Sequence, residues 1–205
     1  MDLREYPIIG IMGQKGSGKD TLAGLLVRDG YISMAFADAL YTEVARRYNV
    51  TEPFLRHRPT KETPSPLLGG KSPRQVLQEV GMLCREQDPD YWVRILEERL
   101  ESEPPFAGLQ GILITDVRMP NEVAFIRRAP RNLLVRVVRP GMGDAGDTHI
   151  TEQALREAPC DLLLTNVEGR PESLREQWNA AMRKRSWEQS CAYADRQYEE
   201  DQGCR

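Results

Sequence analysis

Seven residues near the start of the chain carry its sharpest chemistry: Gly13-Gln14-Lys15-Gly16-Ser17-Gly18-Lys19. The G-x-x-x-x-G-K spacing lets backbone N–H groups converge on phosphate oxygens, because glycines adopt turns that other residues avoid. A helix starting directly after such a loop adds partial positive charge, and Lys19 is spaced to reach the outer phosphates of a nucleotide. Asp20 stands where a Ser or Thr hydroxyl usually meets Mg²⁺. It could hold the ion through water or simply serve as a first-turn acid favoured by the helix dipole. Thr21 follows, placed either to donate to an inner phosphate oxygen or to cap the helix. The candidate nucleotide-binding residues are therefore Gly13, Lys15, Gly16, Ser17, Gly18, Lys19, Asp20 and Thr21.

A second acid, Asp116, closes the apolar run Ile112 to Thr115. At the carboxyl end of a parallel strand, such an acid organises Mg²⁺ and its waters beside a phosphate loop, or else caps a turn or helix. Arg118 lies two residues on, in a turn held by Pro120, where its planar fork of donors suits a second phosphate. Phosphoryl transfer rests on positioning and on cations around a group whose charge spreads over its oxygens. Lys19 alone is thin for that work, and Arg74, Arg85, Arg118, Arg136 and Arg139 are the candidates to complete it.

These residues need a scaffold that brings strand ends together. Short apolar runs alternate with helical periodicity, the pattern of parallel strands joined by helices in an α/β layer fold. Pro7–Met12 reads as a buried first strand, then the loop, then a helix from about Gly18 to Asp29 that stops at Gly30. Tyr31–Phe36 fits a second strand. Leu40, Val44 and Tyr48 mark one face of a helix ending near Asn49. Residues 50–71, with Pro53, Pro59, Pro64, Pro66, Gly69 and Gly70, read as a loop-rich insertion. Ser72-Pro73-Arg74-Gln75 has the form of a capping box with Pro at the first helical position. Asp88-Pro89 opens another helix with Trp92, Ile95, Leu96 and Leu100 inward. Gly111–Thr115, Leu133–Val138 and Asp161–Thr165 read as three further strands, with a short helix from about Thr151. Pro171 begins a last helix carrying Leu174, Trp178, Ala181 and Met182, and a polar tail follows at 191–205.

Composition limits what such a site serves. The 205 residues carry 28 Lys+Arg against 31 Asp+Glu, a net charge of −3, which excludes a surface that coats nucleic acid or anionic membrane through bulk positive charge. Five of those 28 cations are lysines, and two of the five, Lys15 and Lys19, lie in the phosphate loop. No run approaches the ~20 apolar residues that span a bilayer. The N-terminus lacks the basic-then-apolar order of a signal peptide, so a cytoplasmic protein is expected. Cys84, Cys160, Cys191 and Cys204 contain no C-x-x-C pair, and His57 and His149 stand alone, so no zinc cluster or disulfide framework is indicated.

Several stretches taken together resemble the deoxynucleoside monophosphate kinases of bacteriophages. They are Lys15 to Thr21, Phe36-Ala37-Asp38-Ala39-Leu40, Ser72-Pro73-Arg74 with Gly81 and Arg85, Asp88 to Val93, Thr115 to Glu122, and His149 with Thr151-Glu152. The likeness runs in order from residue 8 to about 175. It implies the nucleoside monophosphate kinase fold over 1–190: a three-layer α/β domain on a five-stranded parallel sheet, with a helical monophosphate-binding region at about 38–105 and a lid-like segment at about 139–151. It implies transfer of the γ-phosphate of ATP to a deoxynucleoside monophosphate, with Mg²⁺ held largely through water by Asp20 and Asp116. Lys19, Asp116, Arg118 and Arg139 would be catalytic. Asp38, Tyr41, Lys71, Arg74, Arg85, Trp92, Arg118, Glu122, His149 and Glu152 would line the acceptor site. His149 would hydrogen-bond in the lid, since a phosphate acceptor is already an anionic nucleophile and needs no base.

Two positions depart from that family pattern. Tyr41 stands where a lysine is expected, and Met82 stands where a small hydroxyl residue is usual. Lys71 or an arginine could supply the missing charge, and Tyr41 could stack on a base. The implied partners are ATP and a deoxynucleoside monophosphate, in the host cytoplasm if the chain is phage-encoded, with a homodimer left open. The rival readings are another small-molecule kinase, acting on dephospho-coenzyme A or phosphomevalonate, and a nucleotide-dependent binding module.

Overall fold

The computed structural model describes residues 6–102, 108–141 and 159–186. Its centre is a five-stranded parallel sheet of order β2-β3-β1-β4-β5, made of β1 (Ile8–Met12), β2 (Tyr31–Met34), β3 (Gly111–Ile114), β4 (Asn132–Val138) and β5 (Leu162–Thr165). All five residues of β1 and all four of β3 are buried, which explains why both read as continuous apolar runs rather than alternating ones. Alternate side chains still divide between two cores. Ile8, Met12, Ile112, Ile114 and Leu134 face one layer of helices; Ile9, Ile11, Leu113, Val135, Val137 and Leu164 face the other.

The second face is covered by α1 (Lys19–Val27), through Leu22 and Leu26, and by a helix over 172–186, α7, through Leu174 and Trp178. The first face carries α2 (Ala37–Tyr48), α3 (Glu52–Arg56), α4 (Pro73–Gln87), α5 (Tyr91–Ser102) and α6 (Pro120–Arg128). Among the described residues no helix is long and apolar enough to cross a membrane. The expected three-layer α/β fold is what forms. The polar tail, the short helix near Thr151, and all of the lid-like segment beyond residue 141 lie outside the described residues.

Helix starts follow the expected chemistry where a cap residue leads. Ser72 Oγ accepts from the Gln75 amide at 3.3 Å while Gln75 Oε1 accepts from the Ser72 amide at 2.8 Å, completing the capping box of α4. Asn49 ends α2 in the left-handed region at φ 52°.

Two segments differ from expectation, both because of proline. Residues 50–71 are more ordered than a loop: Pro53, Pro59 and Pro66 occupy early positions of α3 and of two 3₁₀ turns, Arg58–Thr60 and Pro66–Leu68. Pro there starts helical turns instead of breaking them. Leu55 and Leu68, fully buried, anchor this segment to the core by roughly 3–6 kcal/mol together. Likewise Pro120, expected in a turn, is the first residue of α6.

Candidate active site

Strand order decides what meets at the sheet's carboxyl edge. β1 lies between β3 and β4, so the loop after Met12 sits beside Asp116 on one side and Arg139 on the other. Gly13 adopts φ 147°, Gly16 φ 83° and Gly18 φ 107°, all in the region open to glycine. A Cβ at Gly13 would collide with the Val137 carbonyl oxygen and lie 2.7 Å from Ser17 Oγ; one at Gly18 would collide with the Asn166 carboxamide. The loop therefore presses against β4 on one flank and the residue after β5 on the other. Asn166, 6% exposed, donates from Nδ2 to the Ser17 carbonyl oxygen at 2.9 Å, holding the loop from behind.

Lys19 begins α1 and folds back over the loop, donating to the Gly13 carbonyl oxygen and to that of Gln14 at 2.8 Å. Ser17 Oγ, inside the loop, and Arg139 Nε, on the residue after β4, are buried without a hydrogen-bond partner among the described residues. Orphaned polar atoms around a glycine cradle topped by a lysine fit a bound polyphosphate.

Asp116 leaves the end of β3 and uses both oxygens, accepting from the amides of Phe36 and Ala37 at 2.9 Å each. These are donors at the N-terminus of α2, eighty residues away in sequence, so the carboxylate ties the end of β3 to the start of that helix. The Phe36 ring also meets Phe125 of α6 edge-on at 5.9 Å. Asp116 thus has a capping role, though for a helix remote in the chain. Burial pushes its carboxyl above the ordinary range, against the lowering by those amides.

Glu122, 3% exposed, turns back from the first turn of α6. Its Oε2 accepts from the amides of Arg118 at 2.6 Å and Met119 at 2.9 Å, and Oε1 lies 3.6 Å from Arg85 Nη2. Burial, then the neighbouring charge of Asp116, pushes its carboxyl up to about 7. Because the folded value exceeds the ordinary 4.5, this residue's stabilising contribution is fully present below about pH 4.5 and is lost as pH rises through about 7. The loss amounts to about 3 kcal/mol. Glu122→Gln keeps one oxygen for both amides, so it is expected to flatten that part of the stability profile in thermal melts. A variant profile parallel to that of the wild type would contradict the assignment.

In front of these residues lies a cavity of about 680 Å³, walled by α2, the 50–71 segment, α4, Trp92 and the turn after β3. That volume suits a ligand of nucleotide size. Six cations line it, Arg56, Arg58, Lys61, Arg74, Arg85 and Arg118, together with the apolar side chains of Leu40, Leu77, Met82 and Trp92. Asp38, at the start of α2, accepts from the Ala35 amide and from Arg56 Nη2 at 2.9 Å each. Trp92 is buried and spends its N–H on the Gly81 carbonyl oxygen at 3.3 Å, so it is wall and brace at once.

The cavity thus brings together nine of the expected residues: Asp20, Asp38, Tyr41, Arg74, Arg85, Trp92, Asp116, Arg118 and Glu122. Lys71 is a correction. Held by the Ser65–Lys71 bridge, it pairs with Glu79 on the outer side of α4 and is absent from the cavity wall. Tyr41 lines the cavity with the Arg56 guanidinium over its ring, 3.9 Å from the centroid. His149 and Glu152 lie outside the described residues. Arg56, Arg58 and Lys61 of the cavity wall, and Asn166 behind the loop, belong to none of the motifs above. For the first three a signal existed, since Arg56-His57-Arg58-Pro59-Thr60-Lys61 packs three cations into six residues of a proline-bearing segment.

Among the described residues no cluster of three or more His, Cys, Asp or Glu is arranged to hold a metal ion. Asp20, highly exposed, is paired with Arg58.

The sheet order and the glycine loop after β1 define a three-layer α/β protein with a phosphate-loop-like turn at the carboxyl end of its central strand. The family model for deoxynucleotide monophosphate kinase matches residues 71–177. A protein of Acanthamoeba polyphaga mimivirus, named "Putative deoxynucleotide monophosphate kinase", is 33% identical over 174 residues, covering 78% of this chain and 88% of that protein. The chain belongs to the deoxynucleotide monophosphate kinase family. The crystal structure of TT1252 from Thermus thermophilus superposes on 87% of this chain and 98% of its own, at 21% identity and a TM-score of 0.49.

Proposed function

We propose that this protein transfers the γ-phosphate of ATP to a deoxynucleoside monophosphate, yielding ADP and a deoxynucleoside diphosphate. The observation that carries the reading is the pairing of a glycine phosphate loop with a separate cavity lined by six cations, which a protein that only hydrolyses or senses ATP does not need. Family membership favours a nucleotide acceptor over dephospho-coenzyme A or phosphomevalonate.

In this reading an oxygen of the acceptor phosphate forms the new bond to the γ-phosphorus as the bond to the ADP oxygen breaks. The nucleophile is already anionic, so the site needs cations in place of a base. The loop from Gly13 to Thr21 holds the donor, with Lys19 on the transferring group and Arg139 beside it. The 38–105 region, with Arg118 beside it, holds the acceptor, with Arg74 toward its phosphate and Arg85 further along the cavity next to Glu122. Mg²⁺ accompanying ATP supplies charge neutralisation at the transferred phosphate. In this reading Asp20 would hold that ion through water, while both oxygens of Asp116 serve α2.

ADP formation from ATP and Mg²⁺, measured across deoxynucleoside and ribonucleoside monophosphates with dephospho-coenzyme A and phosphomevalonate as controls, tests the reading. Turnover is expected with a deoxynucleoside monophosphate; turnover with a control alone overturns it. Arg118→Ala is expected to raise the acceptor KM by about 10- to 100-fold, the loss of a charge-assisted contact, with the ATP KM within about twofold. An unchanged acceptor KM would remove Arg118 from the site.

A further inference from the structure

We infer that Lys61, oriented by the hydroxyl of Tyr41, is a specificity-determining cation for the phosphate of the acceptor; the inference rests on the kinase reading above. Three observations place it there. Lys61 lines the cavity, and its Nζ donates to Tyr41 Oη, which fixes the end of an otherwise mobile four-carbon stem. Its backbone carbonyl accepts from the Arg74 amide at 3.0 Å, so Lys61 stands beside Arg74 at the start of α4. The turn that carries it also faces the donor loop, since Arg58 pairs with Asp20 and Glu62 lies 3.7 Å from Lys15 Nζ.

Position along the cavity then separates phosphate from base. The start of α4 is joined through Arg74 to the 58–62 turn that pairs with the phosphate loop, whereas Met82 lies eight residues past Arg74 on the same helix, about 12 Å away at 1.5 Å per residue. In-line transfer demands that the acceptor phosphate sit at the loop end. Lys61 and Arg74 are the adjacent cations there, and Glu62, which pairs with Arg74 and reaches Lys15, holds two of the cations that such a phosphate would engage.

Tyr41 acts through Lys61. Its ring is held by Arg56, itself anchored on Asp38 and Glu52, so the phenol is a fixed post that aims the ammonium. Tyr41→Phe keeps the ring under Arg56 and removes only the oxygen that Lys61 contacts.

Steady-state kinetics with ATP and deoxynucleoside monophosphate as varied substrates tests this on four variants: Lys61→Met, Lys61→Arg, Tyr41→Phe and the double variant Lys61→Met with Tyr41→Phe. Lys61→Met is expected to raise the acceptor KM by about 10- to 100-fold with the ATP KM unmoved. Lys61→Arg should recover part of that loss because the charge returns. Tyr41→Phe should raise the acceptor KM by about three- to tenfold, and the double variant should be no worse than Lys61→Met alone. Thermal melts of each variant show whether the fold is kept. An acceptor KM unchanged in a folded Lys61→Met protein that still turns over would overturn the inference and leave the kinase reading standing. Additive losses in the double variant would overturn the role of Tyr41. Absence of any acceptor-dependent turnover in the wild type would overturn the kinase reading and this inference with it.

Discussion

Lys19→Ala is expected to lower kcat for phosphoryl transfer by about 10³-fold or more while leaving a folded protein. The ammonium group is held on the carbonyl oxygens of Gly13 and Gln14, the two residues that open the loop, so it is already poised where phosphate charge would collect. Removing it takes away a cation that positions and neutralises, in a partly buried place where water is a poor substitute. The fold should survive, because the helix that Lys19 begins is buried through Leu22, Ala23 and Leu26 and owes little to this side chain. Lys19→Arg should not restore activity, since a planar fork cannot seat between two carbonyls as a compact ammonium does. ADP release under saturating substrates, beside a thermal melt, measures both halves. A variant retaining a tenth of wild-type kcat would contradict the role.

Gly13→Ala is expected to fail at an earlier level, in the fold of the loop itself. At φ 147° an alanine is strained before any contact is counted, and its Cβ would run into the Val137 carbonyl, a backbone atom fixed in the sheet. Neither strand can give way without disturbing the β1–β4 ladder. A cost of about 3 kcal/mol or more follows from such overpacking, a fall in Tm of about 6–12 °C for a chain of this size. Gly24 is the internal control. It lies inside α1 with open space where a Cβ would go, so Gly24→Ala should raise stability by roughly 0.5–1 kcal/mol through lower chain entropy. Melting temperatures moving in opposite directions confirm the contrast; a Gly13→Ala protein as stable as wild type would refute it.

What the sequence made legible, and what it did not, follows from the range of the interactions involved. The phosphate loop was legible because its constraints are local: three glycines, a lysine and a following helix lie within a dozen residues. Five strands were legible because a doubly covered sheet leaves apolar runs, and β1 and β3 are such runs. α4 was legible because Ser72 and Gln75 announce its start.

The missed features are those whose partner is far along the chain. Asp116 reads as a strand-end acid in any sequence, yet its oxygens are used by amides eighty residues away, at the start of α2. Asn166 carries no local mark at all, and becomes a loop brace only because β5 sits beside β4. α6 and the 50–71 segment differ for the opposite reason, a local signal with two senses: proline marks turns and loops, and here it stands at the front of helical turns. Lys71 could supply the charge missing at Tyr41 on sequence grounds, but next to its bridge with Ser65 it pairs with Glu79, while the 58–62 turn faces the donor loop.

In the proposed reaction a phosphoryl group moves from ATP to a deoxynucleoside monophosphate within one site. Incubation of the protein with γ-labelled ATP, Mg²⁺ and each deoxynucleoside monophosphate, followed by chromatography of the products, tests it most directly. Label is expected in a deoxynucleoside diphosphate for at least one acceptor, with none detectable from Lys19→Ala on the same timescale. Label recovered only as free inorganic phosphate, at a rate indifferent to the acceptor, would contradict it.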